Sequence, residues 1–319
     1  MELRKNIVIW LRSSQKETFT AAYHKGASYL QLADRLSTRN NLFFAYDAAS
    51  YRGGDIFHPV EEYANGKFVP LRDDSEKIKA DVIYNLGNIP DESFTTSTAR
   101  ISNTPAFKKF FASKFEAYKL LPEFFPKTFF ITSENDVFEA LKNIGTERAV
   151  LKPNTGTGGR GVHIFPIANV EQELNATTMK ATIAEGALLQ EFVDTKNGIA
   201  GICPSYHDLR LAIVNDAIAL THVRIPEPGS LIANYQQGAT IKELARADLP
   251  ETIIALHKKI HATITERFPA PMYTMDVGLD SATGAPLLFE INGTTAFPWP
   301  EFAAKDFFIE QLAEHLERL

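Results

Sequence analysis

A glycine-rich segment near the middle of the chain constrains the fold more than any other feature of the sequence. It reads AVLKPNTGTGGRGVHI and spans Ala149–Ile164, where a short apolar strand delivers Lys152. Glycines let the backbone approach a polyphosphate closely and aim its amide groups at the oxygens. The segment therefore predicts a strand followed by a phosphate-binding loop, whose glycines are Gly156, Gly158, Gly159 and Gly161.

Other side chains of this segment fit the same interpretation. Thr155 and Thr157 add hydroxyl donors, and Lys152 adds a fixed positive charge. The lysine precedes the glycines instead of following them, so the loop is not a Walker A loop. The alternative is structural, because Gly158–Gly161 would then form only a tight turn between two strands.

The composition is that of a globular protein with more than one core. The chain has 319 residues, of which 45% are hydrophobic and 23% are charged, and two or three lobes are expected at this length. The net charge of −6, with both signs mixed along the chain, argues against nucleic-acid binding as its main purpose. Cys203 is the one cysteine, so no internal disulfide is expected and this thiol is interpreted as inert.

The sequence also bears on the cellular compartment. The amino-terminal residues show no signal peptide, and no apolar run approaches the roughly 20 residues that cross a bilayer. A soluble cytoplasmic protein without membrane contact is therefore expected.

The amino-terminal part of the chain reads as a small α/β lobe. Apolar runs at 4–11, 41–46 and 80–86 predict strands, and the stretch that ends near Leu36 predicts a helix. This order of elements favours a parallel sheet. Within this lobe no G-x-G-x-x-G follows a strand, which argues against the alternative of an oxidoreductase built on it.

Helical patterns follow in the rest of the chain. A single helix is predicted over 107–118, with an aromatic stripe interpreted as core, and Pro122 ends it. A second helix is predicted from Ser133 to Gly145, and a third over 250–268. Trp299 is predicted to be a packing residue.

A hairpin near the carboxyl end collects acidic and amide side chains. Met272–Asn292 predicts two strands with a turn near Thr283, which places Asp276 opposite Glu290 and puts Asn292 on the same face as Glu290. Proteins commonly hold Mg²⁺ with one or two carboxylates plus the phosphates of a substrate. The alternative is a surface hairpin with solvated acids, but a charge between the apolar neighbours of Glu290 would be costly to bury.

Two arginines lie on neighbouring predicted strands between these signals. Arg210 alternates with apolar residues in His207–Val214, and Arg224 lies on the next strand-like run. A guanidinium group matches two oxygens at once, as a transferred phosphoryl group or a substrate carboxylate presents them. The alternative is ordinary ion pairing at the surface.

The order of these signals resembles the ATP-grasp superfamily, most closely its glutathione-synthetase and ribosomal-protein-glutamate-ligase branch. The resemblance covers residues 80–297. It implies an α/β (α+β) ATP-grasp fold, in which two α+β lobes grip ATP after an N-terminal Rossmann-like pre-ATP-grasp domain. The implied domains are 1–102 for the pre-ATP-grasp α/β domain, 103–190 for the small lobe with the glycine-rich phosphate loop, and 191–319 for the C-terminal lobe with the metal site.

The resemblance also implies which residues hold the nucleotide. Lys114, in FFASKFEAYKLLP, matches the first lysine that grips ATP in this family, and Lys152 matches the second. The glycine loop would close over the phosphates. The hinge whose backbone reads the adenine edge corresponds to QEFV, which is Gln190, Glu191, Phe192 and Val193.

Further matches imply substrate and metal contacts. Arg210 lies in a D-x-R element and would neutralise the transferred phosphoryl group, whereas Arg224 resembles the arginine of A-R-I-P and would face the acylphosphate or the acid. The stretch NYQQG resembles N-x-x-x-G-G, which implies that Asn234 and Gly238 contact the substrate. The residues that match the metal ligands of the D…E-x-N hairpin are Asp276, Glu290 and Asn292.

The implied function is that of an ADP-forming carbon–nitrogen ligase that uses ATP and Mg²⁺, with Mn²⁺ as an alternative metal. The substrate carboxylate attacks the γ-phosphate and an amine then attacks the acylphosphate, so positioning and charge neutralisation dominate catalysis. Its partners would be small-molecule or peptide carboxylates and amines, with a homo-oligomer left open. Two alternatives are an ATP-binding module without turnover and a ligase that modifies a protein or ribosomal peptide.

Two departures from the family pattern bear on the amine acceptor. Ala239 replaces the second glycine after Gly238, and Asp194–Tyr206 is longer than expected between the hinge and D-x-R. This longer segment is a candidate substrate or partner loop.

Overall fold

The first of three larger sheets comes from the amino-terminal part of the chain. A computed structural model describes residues 4–71, 73–87, 97–156 and 158–319. The strands of this sheet are β1 Asn6–Leu11, β2 Asn41–Tyr46, β4 Val60–Ala64, β5 Lys67–Leu71, β7 Val82–Asn85 and β8 Arg100–Ser102. Their order is β5-β4-β2-β1-β7-β8, and helix α1 (Gly26–Ser37) lies between β1 and β2 in the chain. A small separate pair is formed by β3 (Ile56–Phe57) and β6 (Ile78–Lys79).

The predicted parallel strands are confirmed, and the hairpin beside them was not predicted. Strands β2, β1, β7 and β8 pair in parallel, whereas β4 and β5 add an antiparallel hairpin at one edge. Central parallel strands read as continuous apolar runs because both of their faces are buried. The sequence KFVPL of β5 is exposed and contains a proline, so it does not carry that signal.

The second sheet is antiparallel and carries the glycine-rich segment. Its strands are β9 Thr128–Ile131, β10 Arg148–Pro153, β11 His163–Pro166 and β12 Ala187–Glu191, in the order β11-β10-β12-β9. The helices that pack on it are α4 Glu134–Leu141, α5 Val170–Leu174 and α6 Thr177–Ala184. Helices α2 Pro105–Ala112 and α3 Lys114–Leu120 precede this sheet in the chain. Ser133 caps α4 as predicted, because its hydroxyl accepts a hydrogen bond from the backbone amide of Asp136.

The single helix predicted over 107–118 is wrong, because Ser113 divides it into α2 and α3. Ser113 has extended backbone angles, and its hydroxyl accepts a hydrogen bond from the amide of Glu116 to start α3. The aromatic residues are therefore divided between two helices. Phe107 and Phe111 of α2 are buried in a hydrophobic core that also contains Leu209 and Ile260, called the main core below. Phe115 of α3 instead stacks on Phe130 of β9.

The third sheet holds the predicted hairpin. Its strands are β13 Asp208–Val214, β14 Ala217–Ile225, β15 Thr240–Glu243, β16 Met272–Leu279 and β17 Pro286–Asn292, in the order β15-β14-β13-β16-β17. Helix α7 (Glu251–Arg267) packs its apolar side, including Ile253 and Ile260, against one face of this sheet. The opposite face is polar near the middle of the sheet, and the candidate site lies there.

Helix α8 (Lys305–Arg318) joins the first and third sheets into one packed unit. Its apolar residues share a core with α1, with strands of the first sheet and with Ala212 and Val214 of β13. Arg35 of α1 pairs with Glu310 at 2.9 Å and with Glu317 at 3.0 Å, both on α8. Residues that precede α1 can therefore reach the polar face of the third sheet. The domain boundaries at 102 and 190 stay predictions.

No helix within the described ranges is long and apolar enough to cross a membrane.

Candidate active site

The polar face of the third sheet is built from charged residues that lie directly opposite each other. Asp208 pairs in register with Arg224 of β14, and Arg210 pairs with Asp276 of β16. Asp276 in turn lies opposite Glu290 of β17, as predicted from the hairpin turn. Because alternate residues of a strand point to one face, these side chains converge while their neighbours fill the core.

Two arginines and two carboxylates form one connected network. Arg210 donates to both oxygens of Asp276, with distances of 2.7 Å from Nε and 2.6 Å from a terminal nitrogen. Arg224 bridges the two acids, at 2.5 Å from Asp208 and 2.8 Å from Asp276. The residue Arg224 is only 5% exposed. Surface ion pairing, the alternative for these arginines, is therefore excluded for Arg224.

Burial and charge act against each other on these acids. Burial raises the pKa of Asp276, but Arg210 and Arg224 outweigh it and hold that pKa below its ordinary value. Burial also raises the pKa of Asp208, where Arg224 opposes the shift and the charge of Asp276 adds to it. Asp276 is thus the firmly ionised member of the pair.

Two lysines reach this face from the second sheet and its helices. Lys152 Nζ donates to the carbonyl oxygen of Phe289 at 2.9 Å, and burial lowers the pKa of this lysine to about 8, although Glu290 opposes the shift. Lys114 Nζ lies 2.7 Å from the carbonyl oxygen of Gly156 and 3.2 Å from Glu290. Both predicted nucleotide-binding lysines therefore lie beside Glu290.

Asn154 places Lys114 at the glycine loop, a role that was not predicted from the sequence. Its side-chain oxygen accepts hydrogen bonds from the Ser113 hydroxyl at 3.1 Å and from the Phe115 amide at 2.9 Å. Its carbonyl oxygen accepts from the Lys114 amide at 2.9 Å. These bonds hold the start of α3 against the end of β10. Asn154 lies within the glycine-rich segment, but an asparagine before a loop is too common to indicate this role.

The glycine loop lies against the predicted substrate stretch. Gly159 has a φ of +68°, and a Cβ there would lie 2.7 Å from Gln237 Nε2. Gln237 donates to the carbonyl oxygen of Gly159 at 2.7 Å, and Asn234 caps the short helix that contains Gln237. Gly238 follows that helix with a φ of +88° and lies against Glu227 instead of a cavity.

The remaining predicted loop residues have different positions. Thr155 and Gly156 are exposed and line neither of the two cavities described below. Gly161 lies against Pro153 and Thr182, which accounts for the missing side chain by packing. Thr157 lies outside the described residues.

A first cavity of about 180 Å³ lies between the second and third sheets. All four residues of the predicted hinge line it, with Lys152, Gly159, Arg224, Asp276 and Glu290. Gln190 is buried and donates to the Thr128 hydroxyl at 2.6 Å, so its side chain supports the strand. The other wall is apolar, with Val150, Val162, Ile164 and Phe289.

A second cavity of about 340 Å³ lies between the third sheet and the amino-terminal lobe, which is formed by the first sheet and α1 and is called the first lobe. It shares Arg224, Asn234 and Glu290 with the first cavity, and Arg210, Gly158 and Asn292 line it as well. Its outer wall comes from residues that the sequence analysis did not assign to the site: His24, Lys25, His222, Tyr235, Thr295 and Trp299. Trp299, predicted to be a packing residue, therefore also lines a cavity.

The candidate substrate or partner loop, 194–206, lies on the other side of the site. Thr195 and Tyr206 line the first cavity, and Asn197 donates to the Ser281 carbonyl oxygen at 3.1 Å. Cys203 is buried in the main core, in agreement with its interpretation as an inert thiol. No described residue of this segment lines the second cavity.

Comparison with known proteins assigns the family. Residues 113–296, more than half of the chain, match the family model of the RimK-like ATP-grasp domain. The chain belongs to this family. The matched region contains every residue described above for the two lysines, the glycine loop, the arginine network and the hairpin, so the predicted superfamily is confirmed.

Curated relatives of this RimK-like ATP-grasp chain are distant. Two probable alpha-L-glutamate ligases from strains of Stenotrophomonas maltophilia are 26% and 25% identical to it over 194 residues, which are 61% of this chain. The match spans only 60% of the length of each relative.

Solved structures confirm the ATP-grasp fold over the whole chain. D-alanyl-alanine synthetase A from Vibrio cholerae has a TM-score of 0.64 at 12% identity, with 100% of both chains covered. A RiPP-associated ATP-grasp ligase from Chryseobacterium gregarium, solved with ADP and a leader and core peptide, has a TM-score of 0.64 at 12% identity, covering 98% and 97%. A RimK domain protein from Sphaerobacter thermophilus has 0.59 at 14%, covering 98% and 99%.

The donor set of the RimK-like hairpin fits a hard divalent cation. Glu290 and Asn292 are two residues apart on β17, and both line the second cavity. Asp276 accepts three hydrogen bonds from the two arginines, and a carboxylate has about four lone-pair sites, so one remains for a metal. Mg²⁺ prefers such oxygen ligands and keeps several waters. The assignment of these three ligands stays a prediction.

Proposed function

We propose that the protein is an ADP-forming carboxylate–amine ligase that joins its substrates through an acylphosphate. One observation carries the proposal: two cavities meet at a shared wall of Arg224, Asn234 and Glu290, and both lysines converge beside Glu290. A nucleotide in the first cavity and an acid in the second would therefore bring the γ-phosphate and the carboxylate together at this wall.

The nucleotide would lie along the first cavity with its base at the hinge. The backbone of Glu191–Val193 would read the adenine edge, and the apolar wall of Val150 and Ile164 would cover its faces. Lys152 and Lys114 would exchange their carbonyl and carboxylate partners for phosphate oxygens. When bound to Asp276, Glu290 and Asn292, Mg²⁺ or Mn²⁺ would neutralise charge on the phosphates.

The arginines would act on the transferring group. Arg224 lies on the shared wall and its Nε has no hydrogen-bond partner among the described residues, so it has a donor left for the acylphosphate. Arg210 is held in place by Asp276 and lines the second cavity only. Preorganised cations of this kind stabilise charge that develops in the transition state without further reorganisation.

The relatives do not decide the acid or the amine. Their names include a glutamate ligase, a D-alanyl-alanine synthetase and a ligase solved with a peptide. We therefore propose amino acids or peptides as the substrate class, which keeps open the modification of a protein or ribosomal peptide.

The test is ADP release from ATP and Mg²⁺ across a panel of amino acids and short peptides. We expect turnover with at least one pair, and loss of it in Lys152→Ala and in Glu290→Gln. The exposed Lys142, which pairs with Glu139 at 2.6 Å, provides the control Lys142→Ala, for which full activity is expected. Unchanged activity in both site variants would contradict the assignment. Tight nucleotide binding without turnover on any pair would instead support an ATP-binding module.

A further inference from the structure

Lys25 brings an unbalanced positive charge into the second cavity. It precedes α1 in the first lobe, and its Nζ donates to the Phe297 carbonyl oxygen at 2.7 Å and lies 4.8 Å from the centroid of the Trp299 ring. Within the described ranges no carboxylate lies close enough to form an ion pair with it. Burial, and then the charge of Arg210, lowers the pKa of Lys25 to about 8, with Glu301 opposing the shift.

Buried polar atoms of the same cavity lack partners. Among the described residues, no hydrogen bond is made by Nδ1 of His222, Nε of Arg224 or Oγ1 of Thr295, and these residues are 8%, 5% and 6% exposed. An unsatisfied buried polar group costs about 1–3 kcal/mol, and native proteins leave few of them. Burial lowers the pKa of His222 to about 3, so this ring is neutral and offers both a donor and an acceptor. The cavity is thus built to bind a polar ligand.

Aromatic side chains line the same cavity as these polar groups. Trp299 lies 5.5 Å from Tyr235 and 4.8 Å from His24, measured between ring centroids. Phe297 and Phe302 also line the cavity. The ligand therefore meets an apolar surface beside Lys25, and Arg210 lines the same cavity. Such a surface suits the aliphatic part of an amino acid or a short peptide.

Arg210 supplies the second cation beside Lys25. Its Nε and one terminal nitrogen are bound to Asp276, and its other terminal nitrogen makes no hydrogen bond in the described part of the chain. A guanidinium has five N–H donors, so the group keeps donors for a ligand. Two cations that line one cavity, one of them without an ion-pair partner in the described part of the chain, favour an anionic group on the ligand.

We propose that Lys25 and Arg210 bind a carboxylate of the substrate that is not the one activated by ATP. The proposal rests on the proposed function and deepens it. The substrate class is then an amino acid or short peptide whose free carboxylate is retained in the product, with its aliphatic part on Trp299. Lys25 determines specificity for that carboxylate, and it takes no part in phosphoryl transfer.

The first measurement is steady-state ADP release at saturating ATP and Mg²⁺. The probes are amino acids and dipeptides, their carboxamides, and the matching aminophosphonates. The variants are Lys25→Met, Lys25→Arg and the control Lys142→Met. A charge-assisted hydrogen bond contributes about 2 kcal/mol, so Lys25→Met should lower kcat/KM for carboxylates about 30-fold. We expect Lys25→Arg to recover most of this loss, and carboxamide turnover and the KM for ATP to change less than about twofold in either variant.

The second measurement is direct binding by tryptophan fluorescence. The protein has two tryptophans, and Trp10 is fully buried in the first lobe, whereas Trp299 lies in the second cavity. Titration of the same probes in the presence of Mg²⁺ and ADP should change the emission, and Trp299→Phe assigns the change to this ring. We expect saturation with carboxylates and none with carboxamides, and loss of saturation in Lys25→Met.

The outcomes separate this proposal from the proposed function. Turnover that prefers carboxylates only while Lys25 is present supports both. If carboxylates and carboxamides turn over at equal rates, the carboxylate site is overturned and the ligase stands. The same holds if carboxylate turnover is unchanged in Lys25→Met. A Lys25-dependent fluorescence response without any turnover overturns the ligase and supports the site. A preference for phosphonates, or no response of either kind across the panel, overturns the site.

Discussion

The two cavities share one wall but differ in how their charged groups are balanced. In the first cavity Lys152 donates to the Phe289 carbonyl oxygen, and Glu290, which lines this cavity, pairs with the neighbouring Lys114. In the second cavity Lys25 has a carbonyl oxygen and an aromatic ring but no carboxylate within the described ranges. A nucleotide must therefore displace existing partners, whereas a ligand of the second cavity adds a partner that is missing.

This difference separates the sources of affinity and specificity. Exchange of one partner for another contributes little net free energy, so nucleotide binding depends on phosphate charge and on shape. A missing counter-ion makes the second cavity sensitive to a single group on the ligand. Substitutions in the shared wall should affect both cavities, whereas substitution of a residue that lines one cavity should affect only that cavity.

The largest expected effect is on stability, at Arg224 in the shared wall. Removing one partner of a buried ion pair costs about 3–5 kcal/mol because the other charge stays buried without compensation. We expect Arg224→Met to lower the free energy of unfolding by this amount in urea, and turnover to be lost. Adding Asp208→Asn should recover part of the stability, because it removes one of the stranded carboxylates.

Arg318→Met is the control for that measurement. Arg318 pairs with Glu314 at 2.7 Å on the surface of α8, and an exposed helix pair contributes only about 0.3–0.5 kcal/mol. If Arg224→Met and Arg318→Met destabilise the protein equally, the shared wall does not depend on its ion pairs.

At saturating ATP, the pH dependence should distinguish the second cavity from the first, because bound phosphates raise the pKa of Lys152, which is otherwise also about 8. Lys25 must be protonated to bind a carboxylate, and kcat/KM for that substrate then reports the pKa values of the nucleotide-bound enzyme before the carboxylate binds. With a pKa of about 8 for Lys25, kcat/KM for the carboxylate substrate should be constant below that pH and fall about tenfold per pH unit above it. Arg210 and Glu301 are the charged groups that act on Lys25, and His222 stays neutral over this range.

Lys25→Arg tests the origin of the pH profile. Arginine stays protonated in proteins, so the variant should keep its kcat/KM to higher pH. A profile that falls at the same pH in Lys25→Arg as in the wild type would assign the ionisation to another group.

A smaller effect is expected at Gly159, on the first cavity alone. The left-handed backbone costs a residue with a Cβ roughly 1–2 kcal/mol, and the Cβ would also press on Gln237, 2.7 Å away. We expect Gly159→Ala to raise the KM for ATP about tenfold. Gly201→Ala is the matched control, because Gly201 has a φ of +74° and open space around it. The two variants should lose similar stability, but only Gly159→Ala should affect nucleotide binding.

The smallest effect is expected at Arg35, which lies outside both cavities. Arg35 on α1 forms ion pairs with Glu310 and Glu317 on α8. Lys25 directly precedes α1. Partly exposed pairs contribute up to about 1 kcal/mol. We expect Arg35→Met to lower kcat/KM for the carboxylate substrate about two- to threefold in steady-state ADP release, with the KM for ATP unchanged. If Arg35→Met impairs the use of ATP as much as that of the carboxylate substrate, the first lobe supports both cavities.

The contrast between the cavities also explains what the sequence could predict. The lysines, the glycine loop and the hairpin acids lie in short segments with a readable local pattern, and a turn near Thr283 predicted Asp276 opposite Glu290. Period-two alternation likewise placed Asp208 and Arg210 on one face. These local rules identified the inner half of the site, but not the bulge after Asp276 that brings Glu290 into register.

The outer half depends on contacts between distant segments, and no local pattern reports them. Lys25, His222 and Trp299 meet only because α1 and α8 dock on the third sheet. The break between α2 and α3 was missed for a related reason, since it is fixed by hydrogen bonds to Asn154, which follows β10 in the chain. Composition and periodicity describe single elements, whereas these features belong to pairs of elements.

The in-register pairing of the third sheet has a consequence for where the chain tolerates insertions. The site is a row of opposed residues across four strands, and a bulge between Asp276 and Val277 sets the phase of the last pair. One extra residue between Met272 and Asp276 would turn the carboxylate into the apolar core. The turn at Ser281–Gly284 lies beyond the paired residues, so extra residues there would leave the row in phase. The part of this turn after Ser281, which itself binds Asn197, is therefore a suitable position for a fused tag or a reporter group.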